Sequence, residues 1–264
     1  MRGFIEFKLQ IKKFKDANNI LIYQMGKVGS TSLESSVKNS LHFHTLYNRR
    51  SCKFYADASL NSPFKKLKSY FINYLKRIFL ASRGKVKIIT IVRNPYERNT
   101  SHFFQDLQFW LPYYSLNSRE FREENPNLIV DCFEETYNFE YAQNWFNEEL
   151  TRFSGIKIEE CNFDKERGFG VVKKGKFEVL FLTMEKMDSL EKEISDFLGR
   201  EIKLVRQNSG GKKWYNLLYK EFKTNYQPSS KVIEKSFGAD WVTKFYTTED
   251  IEKMKTNALN INHE

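Results

Sequence analysis

Ile20-Leu-Ile-Tyr-Gln-Met-Gly-Lys-Val-Gly-Ser-Thr-Ser-Leu33 is the stretch on which the fold turns. Ile20 to Tyr23 form a short apolar run that reads as a buried strand. Gly26 and Gly29 punctuate a tight turn, and Ser30, Thr31 and Ser32 open a helical pattern. A strand, a glycine turn and a helix N-terminus in that order make an anion site. Backbone N–H groups point into the turn, the helix dipole adds partial positive charge, and Lys27 adds a full one. A ligand carrying phosphate or sulfate is expected on Gly26, Lys27, Val28, Gly29, Ser30, Thr31 and Ser32. A plain reading also exists: Thr31 followed by Glu34 satisfies a capping box.

Spacing narrows the kind of loop. An NTPase phosphate loop places its Lys after the second Gly, whereas Lys27 precedes Gly29; a dinucleotide-binding Gly-x-Gly-x-x-Gly is also missing. A second segment points the same way. Lys85 to Arg93 is rich in β-branched residues and reads as a strand. Arg93-Asn94-Pro95 then marks a strand-to-helix break, with Asn94 suited to the N-cap and Pro95 to the first helical position. Arg93 thus ends a strand, and Ser101 lies about two turns into the next helix.

These two motifs resemble those of sulfotransferases that use 3′-phosphoadenosine 5′-phosphosulfate (PAPS). Gly26 to Ser32 is similar to their 5′-phosphosulfate loop, and Arg93 with Ser101 to their 3′-phosphate motif. The resemblance implies that Lys27 contacts the bridging oxygen and that Gly29, Ser30 and Thr31 cradle the 5′-phosphate. It further implies a bidentate grip of Arg93 on the 3′-phosphate, helped by the Ser101 hydroxyl. The wording from Gln24 to Ser30 also resembles a bacterial capsular polysaccharide synthesis family that shares these signatures. So do Trp145 to Leu150 with Gly155 and Ile156, Phe177 to Met187, and Phe237 to Asp250. The implied fold is α/β: a single-domain three-layer sandwich with a central, mostly parallel sheet of the P-loop-like sulfotransferase type. The implied reaction moves a sulfuryl group from PAPS, as co-substrate and with no metal required, to a hydroxyl of a glycan or glycolipid in capsule or surface polysaccharide biosynthesis.

Composition sets the outer limits. The chain has 264 residues, 41% hydrophobic and 16% aromatic, as expected for one folded domain over 1–264 with an N-terminal extension at 1–18. Net charge is +10, so an anionic partner is expected. Residues 64–87 carry eight Lys or Arg and no carboxylate. Cys52, Cys132 and Cys161 form no Cys-x-x-Cys, and neither a zinc site nor a disulfide framework is expected. No signal-peptide core or run of about twenty apolar residues occurs, so a cytoplasmic protein, peripheral at the inner membrane at most, is expected.

Along the chain, the pattern predicts a strand at 20–25, a helix at 31–40, a strand at 41–47 and a loop at 48–63. Phe64, Leu67, Phe71, Tyr74, Leu75, Ile78 and Phe79 repeat at helical spacing with lysines opposite, which predicts a crossover helix covering the sheet; contact with an anionic membrane is the other reading. Residues 105–140 are expected to form substrate-side loops and short helices. Further expectations are a helix at 140–153, a strand at 177–183 with a helix at 187–198, an edge strand at 201–206, a basic loop at 207–213 and helices at 214–225, 229–239 and 248–257. Lys212 and Lys213, in that loop, are candidates to close over the 3′-phosphate or to face water.

The general base is sought among four histidines. His42 and His44 lie on one face of the second strand, and an imidazole suits proton abstraction near neutral pH. This pair also resembles the His-bearing segment of uronyl 2-O-sulfotransferases. His44, nearer the carboxyl end, is the first choice, with Asp106 or Glu135 as carboxylate fallbacks; His102 and His263 are the remaining imidazoles. Two other function classes stay open: an NTP-dependent small-molecule or sugar kinase with a variant phosphate loop, and a non-catalytic basic protein binding nucleic acid or a membrane surface. No recognisable nucleic-acid motif is present, and nucleic acid is not the expected partner.

Overall fold

A computed structural model describes residues 12–16, 18–47, 63–117, 127–205 and 213–259. The chain forms two compact units, each assembled from separated stretches.

The first unit, 1–49, 62–93 and 144–207, holds a five-stranded sheet in the order β2-β1-β3-β5-β4. Its strands are β1 (Ile20–Tyr23), β2 (Ser40–Phe43), β3 (Val86–Val92), β4 (Phe169–Lys174) and β5 (Phe177–Thr183). The first three and β5 run parallel; only β4 is antiparallel, paired to β5. β1 is buried throughout, and so is nearly all of β3 and the second half of β5. Continuous apolar runs of this kind belong to parallel strands covered on both faces. Leu21, Ile22, Ile89, Leu180 and Leu182 are fully buried at the centre of the core. Strand β1 is joined through α1 (Ser30–Ser36) to β2 on one side, while β3 pairs on its other side, reached through α2 (Pro63–Ala81). The sheet therefore has a switch point at the carboxyl end of β1, where open α/β sheets bind ligands.

The expected edge strand at 201–206 is not formed over 201–205, and 206 lies outside the described residues. The edge is β4 instead. Its residues alternate between covered and exposed, as one-sided edge strands do, and a two-residue turn at Gly175-Lys176 returns the chain into β5 with Lys174 opposite Phe177. Gly175 takes φ +56°, the left-handed geometry that such a tight turn favours in glycine.

Helix α2 also departs from expectation. Leu67, Tyr70, Phe71, Tyr74 and Ile78 are exposed, while Asn73 and Leu80 are buried on the opposite side. Lys76 lies on that inner side with its ammonium 5.5 Å from the centre of the Phe14 ring, and burial lowers its pKa. The apolar stripe thus faces away from the unit that the helix packs on. Arg83, just past the helix, donates to the carbonyls of Phe14 and Asn19 at 2.7 and 2.8 Å, which holds these two residues against this unit.

The second unit, 50–61, 94–143 and 208–264, is helical over its described residues. It contains α3 (Pro95–Gln105), α4 (Leu107–Asn117), α5 (Leu128–Thr136), the start of α6 (Glu140–Trp145) and four later helices: Asn216–Asn225, Ser230–Phe237, Asp240–Phe245 and Thr248–Leu259. The Asn94 side chain caps α3, accepting from the amides of Tyr96 and Glu97 at 3.0 and 3.3 Å. Of the substrate-side loops and short helices expected over 105–140, the short helices are present as α4 and α5, but they bury Trp110, Tyr114, Cys132 and Phe133. The aromatic stretch from Phe103 to Tyr114 is thus largely core: Phe103 packs on Phe133 at 5.0 Å, and Phe104 on Phe222 at 5.1 Å. Trp241 ties in the C-terminal helices by donating to the Ala142 carbonyl at 3.0 Å.

Candidate active site

Gln24 to Gly29 leave the carboxyl end of β1 as a loop whose underside is apolar. Met25 and Val28 are buried and anchor it, while Lys27 between them is half-exposed. Lys27 takes φ +70° and Gly29 φ +79°, both left-handed. Such a conformation in a lysine is strained, and persists where the surroundings enforce it, commonly at ligand sites. The left-handed φ of Gly29 disfavours any L side chain, and a Cβ there would also press on the end of the Met184 side chain, which would have to shift. Gly29 is also the N-cap of α1 and makes no side-chain cap bond, so the capping box expected at Thr31 and Glu34 does not form. Glu34 faces His42 instead, with Oε2 3.2 Å from Nδ1. Ser30, Thr31 and Ser32 form the first turn of α1; Thr31 is exposed, the two serines half-exposed.

Arg93 directly follows β3, the strand paired with β1, and its Nη1 donates to the Lys27 carbonyl at 3.3 Å. Two of the cationic residues expected to bind phosphate therefore meet at the switch point of the sheet. Ser101 is half-exposed on α3, in the other unit. Lys213 is half-exposed there too, with its ammonium 5.7 Å from the Tyr215 ring. Lys212, Cys52 and His263 lie outside the described residues.

The two histidines on and just past β2 have different surroundings. His42 is half-buried on β2, between Glu34 and the Gln24 amide, whose Nε2 is 3.4 Å from its Nε2. Burial lowers its pKa, and the Glu34 carboxylate opposes that shift. Gln24 is fully buried, and its Oε1 finds no hydrogen-bond partner among the described residues. His44, one residue past β2, is exposed, and its Nδ1 is 3.0 Å from the Gln24 carbonyl. That contact requires Nδ1 to carry the proton when the ring is neutral, which leaves the lone pair on Nε2. The rings stand edge to face at 4.6 Å.

What holds this segment is a carboxylate that the pattern of residues did not single out. Glu149 is fully buried, yet it accepts from the Tyr23 hydroxyl, from Thr45 Oγ1 at 2.7 Å and from the Leu46 and Tyr47 amides at 2.8 and 3.3 Å. Trp145, four residues earlier, donates its indole N–H to the His44 carbonyl at 2.9 Å. Glu149 lies in a π-helical turn, Phe146–Thr151, inside what reads in sequence as a plain helix. Such turns are rare and concentrate at functional sites. The available signal was the Trp145 to Leu150 string itself, whose apolar members are buried around a carboxylate.

His102, Asp106 and Glu135 belong to the helical unit. His102 is buried with Nδ1 3.1 Å from the Tyr137 hydroxyl, its ring lies parallel to Tyr141, and its Nε2 is 3.7 Å from Asp106. Arg98, fully buried beside them, donates to Asn99 and to Tyr137, both at 3.0 Å. Burial pushes the Tyr137 hydroxyl up to about 12, against the pull of Arg98. Glu135 is exposed on α5.

Residues 123–247 match the model of a family, NKWYS, described as "putative capsular polysaccharide synthesis protein". The match covers a little under half of the chain. It includes Trp145, Glu149, β4 and β5, and stops short of the loop at 24–32 and of Arg93. No curated protein and no solved structure matches the chain.

Proposed function

We propose that this protein is a sulfotransferase of P-loop-like fold, moving a sulfuryl group from PAPS to a hydroxyl of a glycan or glycolipid. The observation that carries the reading is the junction of Lys27 and Arg93 at a strained, glycine-punctuated loop on the sheet's switch point. The family match to capsular polysaccharide synthesis favours a glycan acceptor.

In this reading the amides after Lys27 and the hydroxyls of Ser30, Thr31 and Ser32 hold the 5′-phosphate, and Arg93 pairs with the 3′-phosphate. The acceptor oxygen attacks sulfur in line with the bond from sulfur to the bridging oxygen. That bond breaks, and its electron pair leaves on the phosphate as 3′-phosphoadenosine 5′-phosphate, beside the Lys27 ammonium. Neutralising charge where it develops is the largest contribution such a site makes. His44 Nε2 takes the proton of the acceptor hydroxyl, and the Gln24 carbonyl stabilises the imidazolium through Nδ1–H. Glu149 and Trp145 act by holding the segment that bears His44.

Calorimetric titration with 3′-phosphoadenosine 5′-phosphate, without metal, tests this. Micromolar binding with ATP much weaker is the expected result. Absence of binding, or preference for ATP with Mg²⁺, would overturn it in favour of a kinase, which needs the metal.

A further inference from the structure

The outward stripe on α2 has no role in that chemistry. Leu67, Tyr70, Phe71, Tyr74 and Ile78 are 67, 57, 55, 52 and 42% exposed. Their spacing of i, i+3, i+4, i+7 and i+11 sets them on one helical face. A contiguous exposed apolar surface of this kind marks an interaction site. It is opposite the side that the helix buries, so repacking against its own unit would require turning the helix over and bringing out Leu80 and Asn73.

Charge decides what covers it. Residues 64–87 carry no carboxylate, within a chain of net charge +10. Of their cations, Lys68 is exposed beside the stripe, whereas Lys76 lies on the inner side, Arg77 and Arg83 donate to backbone carbonyls of the unit and Lys85 pairs with Glu178. A second copy would set two carboxylate-free basic helices against each other, which like-charge repulsion opposes. Nucleic acid would satisfy the lysines but offers nothing to Leu67 and Ile78. An anionic bilayer surface satisfies both: phosphates for the cations, and the acyl boundary for the stripe. The 19-residue helix is about 28 Å long, and no helix among the described residues is long and apolar enough to cross a membrane. We infer that α2 lies in the plane of an anionic phospholipid bilayer, with Leu67, Phe71 and Ile78 immersed. Tyr70 and Tyr74 sit at headgroup level, where amphipathic rings prefer to be. Lys68, exposed beside the stripe, meets the lipid phosphates.

The test uses the full chain and phosphatidylcholine vesicles with or without phosphatidylglycerol, in a flotation assay with no nucleotide present, so its outcome is separate from that of the sulfotransferase reading. The wild type should float with the anionic vesicles. The Leu67→Ser/Phe71→Ser/Ile78→Ser variant should lose about tenfold or more in partitioning, or about 1.4 kcal/mol, with an unchanged melting temperature because all three side chains are exposed. A Tyr74→Trp probe should shift its emission to the blue on anionic vesicles only. Failure of the wild type to float, or equal flotation of the triple variant, overturns the inference. So does a dimer in sedimentation velocity that the same substitutions dissolve, since a second copy would then be the occupant.

Discussion

Arg93 and Arg98 are five positions apart, one at the end of the sheet unit and one near the start of the helical unit, and they do opposite things. Arg93 is half-exposed just past a strand's carboxyl end, and its guanidinium donates to the Lys27 carbonyl in the glycine loop. Arg98 is fully buried among Asn99, Tyr137 and the ring of Tyr141, 5.1 Å away. The first can offer its guanidinium to a ligand; the second spends it on packing a polar core. Residue type alone does not separate them, whereas position relative to a sheet's switch point does.

The largest expected effect would sharpen the contrast at Lys27. Lys27→Ala should lower the rate of sulfuryl transfer by roughly 10²–10³-fold, the loss seen when one preorganised charge-stabilising group is removed, with no change in melting temperature. Initial rates and thermal melts on the same preparation check this. Arg98→Met should do the reverse. It leaves the buried Tyr137 hydroxyl and Asn99 short of a donor, which costs about 3 kcal/mol; chemical denaturation would register the loss, and nucleotide affinity should be retained.

Glu149→Gln is a smaller change that tests whether the sheet unit has its own structural polar centre. Volume is kept, but one acceptor oxygen becomes an NH₂ among four donors, at a cost of about 2 kcal/mol. The melting temperature should fall by roughly 4–8 °C, and the rate should fall with it because the 44–47 segment loosens.

The smallest effect concerns pH. His42 has a folded pKa below its ordinary 6.5 because burial disfavours the charged form. The unfolded chain therefore binds a proton that the folded one refuses, and stability falls as pH drops from 6.5 toward the folded value. His42→Gln should flatten that part of a melting-temperature profile, while Glu34→Gln, which removes the opposing carboxylate, should carry the decline to lower pH. A profile unchanged by either would contradict the assignment.

Legibility followed the same division. β1, β3 and β5 are continuous apolar runs, and Asn94-Pro95 is a strong helix start, so the sheet's parallel strands and the positions of Lys27 and Arg93 could be read directly. β4 was missed because it is a short strand with a glycine inside it, Val171 outward and two lysines at its end, although Gly175-Lys176 between two strand-like runs was a hairpin signal. The orientation of α2 was misread because an apolar face is normally turned inward. The π-helical turn was invisible because it shifts the helical period by a single residue. Glu149 was passed over because a glutamate in a helix ordinarily faces water, and only the folded chain brings Tyr23, Thr45, Leu46 and Tyr47 around it.

The most direct test of the account compares Arg93→Ala with Arg98→Met in parallel titrations with 3′-phosphoadenosine 5′-phosphate, alongside thermal melts. The account predicts that Arg93→Ala abolishes micromolar binding while melting as the wild type does, and that Arg98→Met binds normally but melts early. Retained nucleotide binding in Arg93→Ala would contradict the claim that the junction of β1 and β3 is the nucleotide site.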